Sequence, residues 1–210
     1  AQTAMSKPPF YWYKAKKYLA KDKIMAKLIK SCKGHLTTRN DVFFSLCKSI
    51  IGQQISVAAA NSVFLKFKKI CKNKIKPLTV SKISTQKLKK CGLSRQKVKG
   101  IKSLSADFLK KSFDPKKIKN MTDEDAIEYL SNLRQIGRWS AEMILMFTFN
   151  RPNIWPIQDI GLLRSISKNY KTKYFPSKIF LKKLKKKFSP YCSVATWYLW
   201  RSIDDKPIQY

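Results

Sequence analysis

Apolar residues recur three or four positions apart along almost all of the 210 residues, while alternating runs typical of strands are nearly absent. This pattern predicts an all-α fold. Ser56, Ser94 and Thr122 each precede an apolar periodic run and are expected to cap helices, and Asn40 or Asp41 is expected to begin another. The first predicted helices cover about 11–19 and 23–30. Further helices are predicted for a run begun by Asn40 or Asp41, a run after Ser56, a short run before Gly92, a run from Ser94 and a run from Thr122 to about 132. The last predicted helices are a run from 138 or 139, residues 160–168, and the segments "SKIFLKKLKKKF" and "YCSVATWYLWRSI".

A short hairpin separates two of these helices. The link "LRQIG", Leu133 to Gly137, joins a helix ending near Asn132 to one beginning at Arg138 or Trp139. A link this tight would point the first N–H groups of the second helix outward, where they form an anion site. Arg134 and Arg138 flank that end, and Gly137 would let a phosphate approach closely. The same pattern also fits an ordinary helical hairpin with a glycine stop.

The charge balance favours phosphate as a ligand for such a site. The chain has 45 Lys and Arg against 12 Asp and Glu, a formal net charge of +33. Such a field attracts polyanions, and nucleic acid is the first candidate. A lysine-rich composition can equally reflect genomic base composition.

The five cysteines argue against several kinds of site. They are widely spaced, form no CxxC pair and are accompanied by one histidine. This pattern argues against a disulfide framework, a zinc site or an iron–sulfur cluster, and indicates a reducing, intracellular compartment. We expect no metal and no cofactor. No apolar run approaches the roughly 20 residues of a membrane span.

One carboxylate stands out. Asp159, in "WPIQDIGLLR", lies 22 residues after Gly137 at the start of a helix, where N-capping is its ordinary role. Helix N–H groups also stabilise an ionised carboxylate. An anionic group in a chain that attracts DNA would be useful opposite a developing positive charge.

Several segments together resemble one family. "LRQIGRWSAEMI" followed by "WPIQDIGLLR", with "RNDVFFSLCKSIIGQQISVAAA", "CGLSRQKVKGI" and "PYCSVATWYLWR" in the same order, is similar to the helix-hairpin-helix (HhH-GPD) DNA glycosylases, in particular the 3-methyladenine DNA glycosylase II branch. The resemblance implies a two-lobed helical fold with a DNA cleft between the lobes. It places 1–40 and 165–210 in one lobe, and 41–164, with the hairpin motif at about 123–149 and the catalytic Asp, in the other.

The resemblance also implies residue roles. Asp159 matches the catalytic Asp of the family, and Trp139 occupies the position where bifunctional relatives carry an attacking lysine. A monofunctional enzyme without strand cleavage is therefore expected. Two positions depart from the family: Gln135 stands where relatives usually have Gly, and Cys192 where they often have Arg.

The remaining candidates bind the base or the DNA. Trp139, Trp197 and Met143 are expected to wall a base pocket, although core packing is an alternative for any tryptophan. Leu93, Ser94 and Arg95 are candidates for filling the gap left by an extruded nucleotide. Gln53 and Gln54 would reach DNA or satisfy helix ends. The full DNA-binding set is Arg134, Gln135, Ile136, Gly137, Arg138, Gln53, Gln54, Ser94 and Arg95.

These residues predict a function. We expect a monomeric, monofunctional DNA glycosylase that excises alkylated purines of the 3-methyladenine and 7-methylguanine type from double-stranded DNA in base excision repair, in a nucleoid or a nucleus. An alkylated purine already carries positive charge and leaves without a general acid, so one carboxylate suffices. The alternatives are a glycosylase for deaminated or mismatched bases, and an inactive hairpin protein that only binds DNA.

Overall fold

The computed structural model describes residues 7–204 and confirms the predicted all-α class. Over that range the chain forms helices, turns and irregular connections, with no strand. None of the helices between Lys7 and Asp204 is long and apolar enough to cross a membrane. The elements are α1 (Trp12–Leu19), α2 (Lys23–Ser31), α3 (Val42–Gly52), α4 (Val57–Ile70), α5 (Pro77–Ser81), α6 (Thr85–Lys90), α7 (Arg95–Lys110), a 3-10 helix (Pro115–Asn120), α8 (Asp123–Ser131), α9 (Arg138–Phe147), α10 (Ile160–Tyr170), α11 (Lys178–Phe188) and α12 (Cys192–Arg201).

The chain divides into two compact units. Of the described residues, the first unit contains 7–38 and 145–204, and the second is Arg39–Ile144. This division differs from the expected lobes, because 145–164 group with the first unit. The connection after α9 is tied there: the Ile154 N–H donates to Ser193 Oγ at 2.9 Å, and the Trp155 indole donates to the Leu181 carbonyl at 3.1 Å. The ends of the expected first lobe, 1–6 and 205–210, lie outside the described residues.

Side-chain caps begin the helices where the sequence predicts them. Asp41 Oδ1 accepts from the N–H of Phe44 at 3.1 Å, and Ser56 Oγ accepts from that of Ala59 at 3.1 Å. Thr122 Oγ1 accepts from the N–H of Asp125 at 3.1 Å. Each cap satisfies a helix N–H that has no partner within its own helix.

Two short elements were not predicted. Helix α5 spans five residues and the 3-10 helix six, and each begins with a proline, Pro77 or Pro115. Proline is well tolerated at a first helical position because the N–H it lacks would have no partner there. Elements this short contain too few apolar residues to show a helical period.

Helix α12 is the centre of the first unit. Every residue from Cys192 to Trp200 is buried, and α1, α2, α10 and α11 all pack against this helix. The ring of Trp12 stacks on that of Tyr198, with 5.5 Å between the ring centroids. It packs edge-to-face with Trp197, with 5.2 Å between the centroids. The aromatic residues that the sequence concentrates near the end of the chain therefore build a core.

The second unit is organised around α7. This helix packs against α3, α5 and α6, and α4 packs against α3. Phe43, Leu46 and Ile50 of α3 are buried, together with Ile101 and Leu104 of α7. The end of α3 is thereby held close to the first half of α7.

The cysteines are free thiols, and four of them are buried. Burial raises the pKa of Cys71 and of Cys192 to about 11. These thiols are protonated at neutral pH, so they are poor nucleophiles.

Asp22 joins three elements of the first unit. Its Oδ1 accepts from the N–H groups of Ile24 and Met25 at 2.8 and 2.9 Å, which caps α2. The hydroxyl of Tyr170 donates to the same oxygen at 3.3 Å, and Lys187 Nζ lies 2.6 Å from Oδ2. Burial alone would raise the pKa of this carboxyl, but the bonds from Lys187, Met25 and Ile24 lower the pKa below its ordinary value.

We expect Asp22→Asn to lower the free energy of unfolding at neutral pH by about 1–2 kcal/mol, because asparagine still caps a helix but cannot pair with Lys187. Because the pKa of Asp22 is lower in the folded protein than its ordinary value of 3.8, the charged carboxylate stabilises the protein fully at a pH above 3.8. This stabilisation is lost as the pH falls through the folded pKa. Urea unfolding of both proteins at neutral and acidic pH measures the difference. Equal stabilities at neutral pH would contradict this role.

Candidate active site and hairpin

The predicted hairpin lies in the second unit, between α8 and α9. Leu133 and Ile136 are buried, and the N–H of Ile136 donates to the Leu133 carbonyl at 3.1 Å. Helix α9 begins at Arg138, one of the two predicted starts. Because the side chain of Ile136 faces the core, any contact of this residue with DNA would be made by its backbone.

Gln135, the departure from the family pattern, adopts a left-handed backbone. Its φ is +68°, a region that glycine enters without steric cost and that residues with a Cβ rarely occupy. The turn therefore keeps a conformation suited to glycine even though a glutamine is present.

Gly137, by contrast, is not required by the protein's own packing. A Cβ added there would meet no atom within 4 Å, and the residue is not among those with positive φ. The space beside its Cα is open and exposed at the start of α9. This is the geometry expected where a ligand comes close to the backbone.

The two arginines beside the turn differ in their partners. Arg138 donates to both carboxylate oxygens of Glu124, at 3.0 and 2.8 Å, and its Nε lies 3.9 Å from Glu142 Oε2. The hydrogen bonds with Glu124 raise the pKa of Arg138. Arg134 is exposed and forms no ion pair with any residue that the structure describes. Of the two, Arg134 is the one available to a phosphate, and Arg138 would first have to exchange partners.

Gln53 and Gln54 have different environments. Gln53, the residue after α3, directs its amide Nε2 to the backbone carbonyl of Gln135. Gln54 is exposed and has a left-handed φ of +57°. The structure therefore uses Gln53 to hold the hairpin, while Gln54 remains accessible.

The loop before α7 presents only part of its predicted surface. Leu93 is buried and so does not extend toward DNA in this structure. Ser94 Oγ caps α7 by accepting from the N–H of Lys97 at 3.2 Å. Arg95 is exposed and remains a candidate for contacting DNA.

The three residues of the predicted base pocket differ in burial. Trp139, in the first turn of α9, is half-buried. Met143 is fully buried in the second unit. Trp197 is buried in the first unit against Trp12 and Tyr198, and the guanidinium of Arg201 lies 5.8 Å from its ring. Met143 and Trp197 are therefore core residues in this structure, because neighbouring side chains cover them.

Asp159 belongs to the first unit and caps α10, as the sequence predicts. Its Oδ2 accepts from the N–H of Leu162 at 2.7 Å and from the indole Nε1 of Trp200 at 2.8 Å. The carboxylate is only 7% exposed, so these donors are needed to compensate for its lost hydration. Two N–H groups that meet at one oxygen fix the orientation of the carboxylate.

Trp200 and Gly161 are site residues that the sequence did not reveal. The indole of Trp200 stacks parallel to Phe147 at 6.2 Å, which holds its N–H toward Asp159. A Cβ on Gly161 would lie 3.2 Å from Asp159 Oδ2 and 3.5 Å from Trp200 Cδ1. Glycine therefore leaves the room that the carboxylate and the indole occupy. The sequence showed a tryptophan near the end of the chain, but it carried no sign that this residue pairs with Asp159.

Cys192, the second departure from the family pattern, is buried. Its backbone N–H donates to Asn153 Oδ1 at 3.1 Å. This position ties α12 to the connection after α9 and presents no charge to a ligand.

Comparison with known proteins identifies the class. The model of the HhH-GPD superfamily of base excision DNA repair proteins matches residues 47–190, and the chain belongs to this superfamily. The resemblance drawn from the motifs is confirmed. Trp200 lies outside the matched segment.

Three similar proteins are named as DNA-3-methyladenine glycosylases or glycosidases. A DNA-3-methyladenine glycosylase of Saccharomyces cerevisiae is 30% identical over 78% of this chain and 67% of its own length. DNA-3-methyladenine glycosylase 1 of Schizosaccharomyces pombe is 26% identical over 78% of this chain and 73% of its own. The crystal structure of a DNA-3-methyladenine glycosidase from Bacillus halodurans is 26% identical, with a TM-score of 0.80, 95% of this chain covered and 91% of that one.

We expect Trp200→Phe to lower the free energy of unfolding by about 1–2 kcal/mol, because phenylalanine can still stack on Phe147 but leaves the buried Asp159 without one donor. Trp155→Phe is the matched control, since it removes an indole bond to the Leu181 carbonyl in the same unit without touching Asp159. Urea unfolding compares the two variants. An unchanged stability in Trp200→Phe would show that the indole bond contributes nothing net.

Proposed function

We propose that this protein is a monofunctional DNA glycosylase that releases alkylated purines from DNA in base excision repair. The observation that carries the proposal is the buried Asp159 carboxylate, which Leu162 and Trp200 hold by hydrogen bonds. By its resemblance to the family motif, we assign Asp159 the role of the catalytic Asp. The relatives named DNA-3-methyladenine glycosylases support the choice of reaction and lesion.

Asp159 would act on the sugar. Cleavage of an N-glycosidic bond passes through an oxocarbenium-like sugar, and a fixed carboxylate stabilises that positive charge. The same group can orient or deprotonate the attacking water. The hydrogen bonds on Oδ2 hold the carboxylate in place before the charge develops, so it need not reorganise during the reaction.

The residue at position 139 supports a monofunctional reaction. A lyase-type relative would form a Schiff base there through a lysine amine, whereas this chain has Trp139, which has no nucleophilic nitrogen. The base is released by water, and the DNA strand is left uncut.

The same residue fits an alkylated purine. Alkylation makes the base electron-deficient and positively charged, so the base is a good leaving group and is attracted to a π face. Trp139, in the second unit, carries an indole and is half-buried, unlike the buried Met143 and Trp197. We assign base contact to Trp139 and not to the buried Met143 and Trp197.

The charge distribution supports DNA as the partner. In its described part the first unit carries three carboxylate side chains, Asp22, Asp159 and Asp204, and Asp22 is paired with Lys187. Lysine and arginine greatly outnumber them, which favours a polyphosphate ligand. In the second unit, the open backbone at Gly137 and the exposed Arg134, Arg95 and Gln54 are the candidates for contact with the DNA backbone.

We expect Asp159→Asn to reduce base release by about 100-fold or more, because the amide cannot stabilise the cationic sugar. The substrate is duplex DNA containing 3-methyladenine or 7-methylguanine, and the measurements are free base and strand cleavage before and after alkali. The parent should release base and leave only alkali-sensitive sites.

Trp155→Phe serves as the matched control for this experiment and should retain base release, since its indole bonds elsewhere in the same unit. A parent that binds DNA but releases neither base would refute the alkyl-purine assignment. A panel of deaminated and mismatched bases then separates another lesion specificity from a protein that only binds DNA.

We expect Gly137→Ala to weaken DNA binding by about tenfold while leaving thermal stability unchanged. The added methyl group meets nothing in the protein but occupies the space where a phosphate would approach the backbone. Fluorescence anisotropy with a labelled duplex and a thermal melt test the two halves of this prediction. An unchanged dissociation constant would show that Gly137 does not contact DNA.

A further inference from the structure

We propose that Gln53 and Gly100 are positioning residues that hold the hairpin in its binding conformation, and that they do so because this chain carries Gln135 where a glycine would suffice. Neither residue needs to touch the ligand in this role. The inference rests on the proposed function only for its DNA-binding readout.

The first part of the support is a hydrogen bond. The Gln53 amide donates to the backbone carbonyl of Gln135, 82 residues further along the chain. This carbonyl belongs to the residue with the left-handed φ. A donor fixed there limits rotation of the peptide group that links Gln135 to Ile136, and hence the direction of the N–H groups that follow.

The second part is a close contact. A Cβ added to Gly100, which is buried on α7, would lie 2.9 Å from Gln135 Cγ and 3.2 Å from Gln135 Cβ. A separation under about 3 Å is far inside van der Waals contact, so only glycine fits beneath this side chain. Because Gly100 has no side chain, there is room above it for the side chain of Gln135, which a glycine at position 135 would not have.

The end of α3 is itself anchored to α7. Lys97, which lies one turn before Gly100 on α7, donates from Nζ to the Ile51 carbonyl at 2.8 Å. Gln53 therefore extends from a fixed helix end, and both contacts with Gln135 come from a single rigid part of the second unit. The left-handed conformation costs free energy for any residue with a Cβ, so it persists only where surrounding contacts maintain it.

A double-mutant cycle tests the close contact. Gly100→Ala should displace Gln135, raising the dissociation constant for duplex DNA about tenfold and speeding amide hydrogen exchange in 133–138 without DNA. Adding Gln135→Gly removes the clashing side chain and suits a positive φ, so the double variant should return to within about threefold of the parent on both measures. Failure of the second substitution to rescue the first would overturn the proposal.

Gln53→Met tests the hydrogen bond, because methionine has a similar length but no N–H donor. It should speed exchange in the hairpin in the absence of DNA. If it weakens DNA binding and leaves exchange unchanged, Gln53 acts by contacting DNA directly and its positioning role is refuted. This variant also decides the matter if Gly100→Ala does not fold.

Ile101→Val is the control for a general loss of stability, since Ile101 is fully buried beside Gly100 on the same helix. It should lower the melting temperature and leave both hairpin exchange and the dissociation constant unchanged. A parent that binds DNA without releasing a base would refute the proposed function but not this inference, because neither readout depends on base release.

Discussion

The buried carboxylate of Asp159 constrains how α10 and α12 pack in the first unit. A carboxylate with 7% exposure needs donors to replace its hydration, and they come from the first turn of α10 and from Trp200 near the end of α12. Helices α10 and α12 therefore have to pack so that the Leu162 N–H and the Trp200 indole both reach Asp159. Gly161 permits this packing, and the stacking of Trp200 on Phe147 maintains it. The chemistry assigned to Asp159 depends on this arrangement, because a carboxylate that must reorient stabilises a transient charge less well.

The second unit contains a turn with an unfavourable backbone conformation at Gln135. Gln135 has a left-handed backbone, and its carbonyl accepts a hydrogen bond from Gln53, the residue after α3. The start of α9 is exposed at Gly137. Two of the acidic residues form ion pairs with particular basic residues. Glu124 pairs with Arg138, just as Asp22 pairs with Lys187 in the first unit, so the free positive charge lies on other side chains. A strongly basic protein can in this way direct its excess charge toward a ligand while fixing particular cations in its own structure.

Features that depend on neighbouring residues were predictable. The helical class, the caps at Ser56 and Thr122, the hairpin and the capping position of Asp159 all follow from spacing and from the hydrogen-bonding capacity of short polar side chains. The burial of Met143 and Trp197 was not predictable in this way. A half-buried Trp139 and a buried Trp197 look alike in a sequence, because burial depends on which helices pack over each ring.

By itself, then, the sequence determined an all-α chain with an outward-facing hairpin, an anionic helix cap after it and an excess of positive charge. Local periodicity, capping and composition are sufficient for these features. Only the tertiary structure decided that Trp200 orients Asp159, that Gly100 accommodates Gln135 and that Glu124 pairs with Arg138. These partners lie far apart along the chain or on separate helices, and the packing of the core brings them together at distances that spacing does not encode.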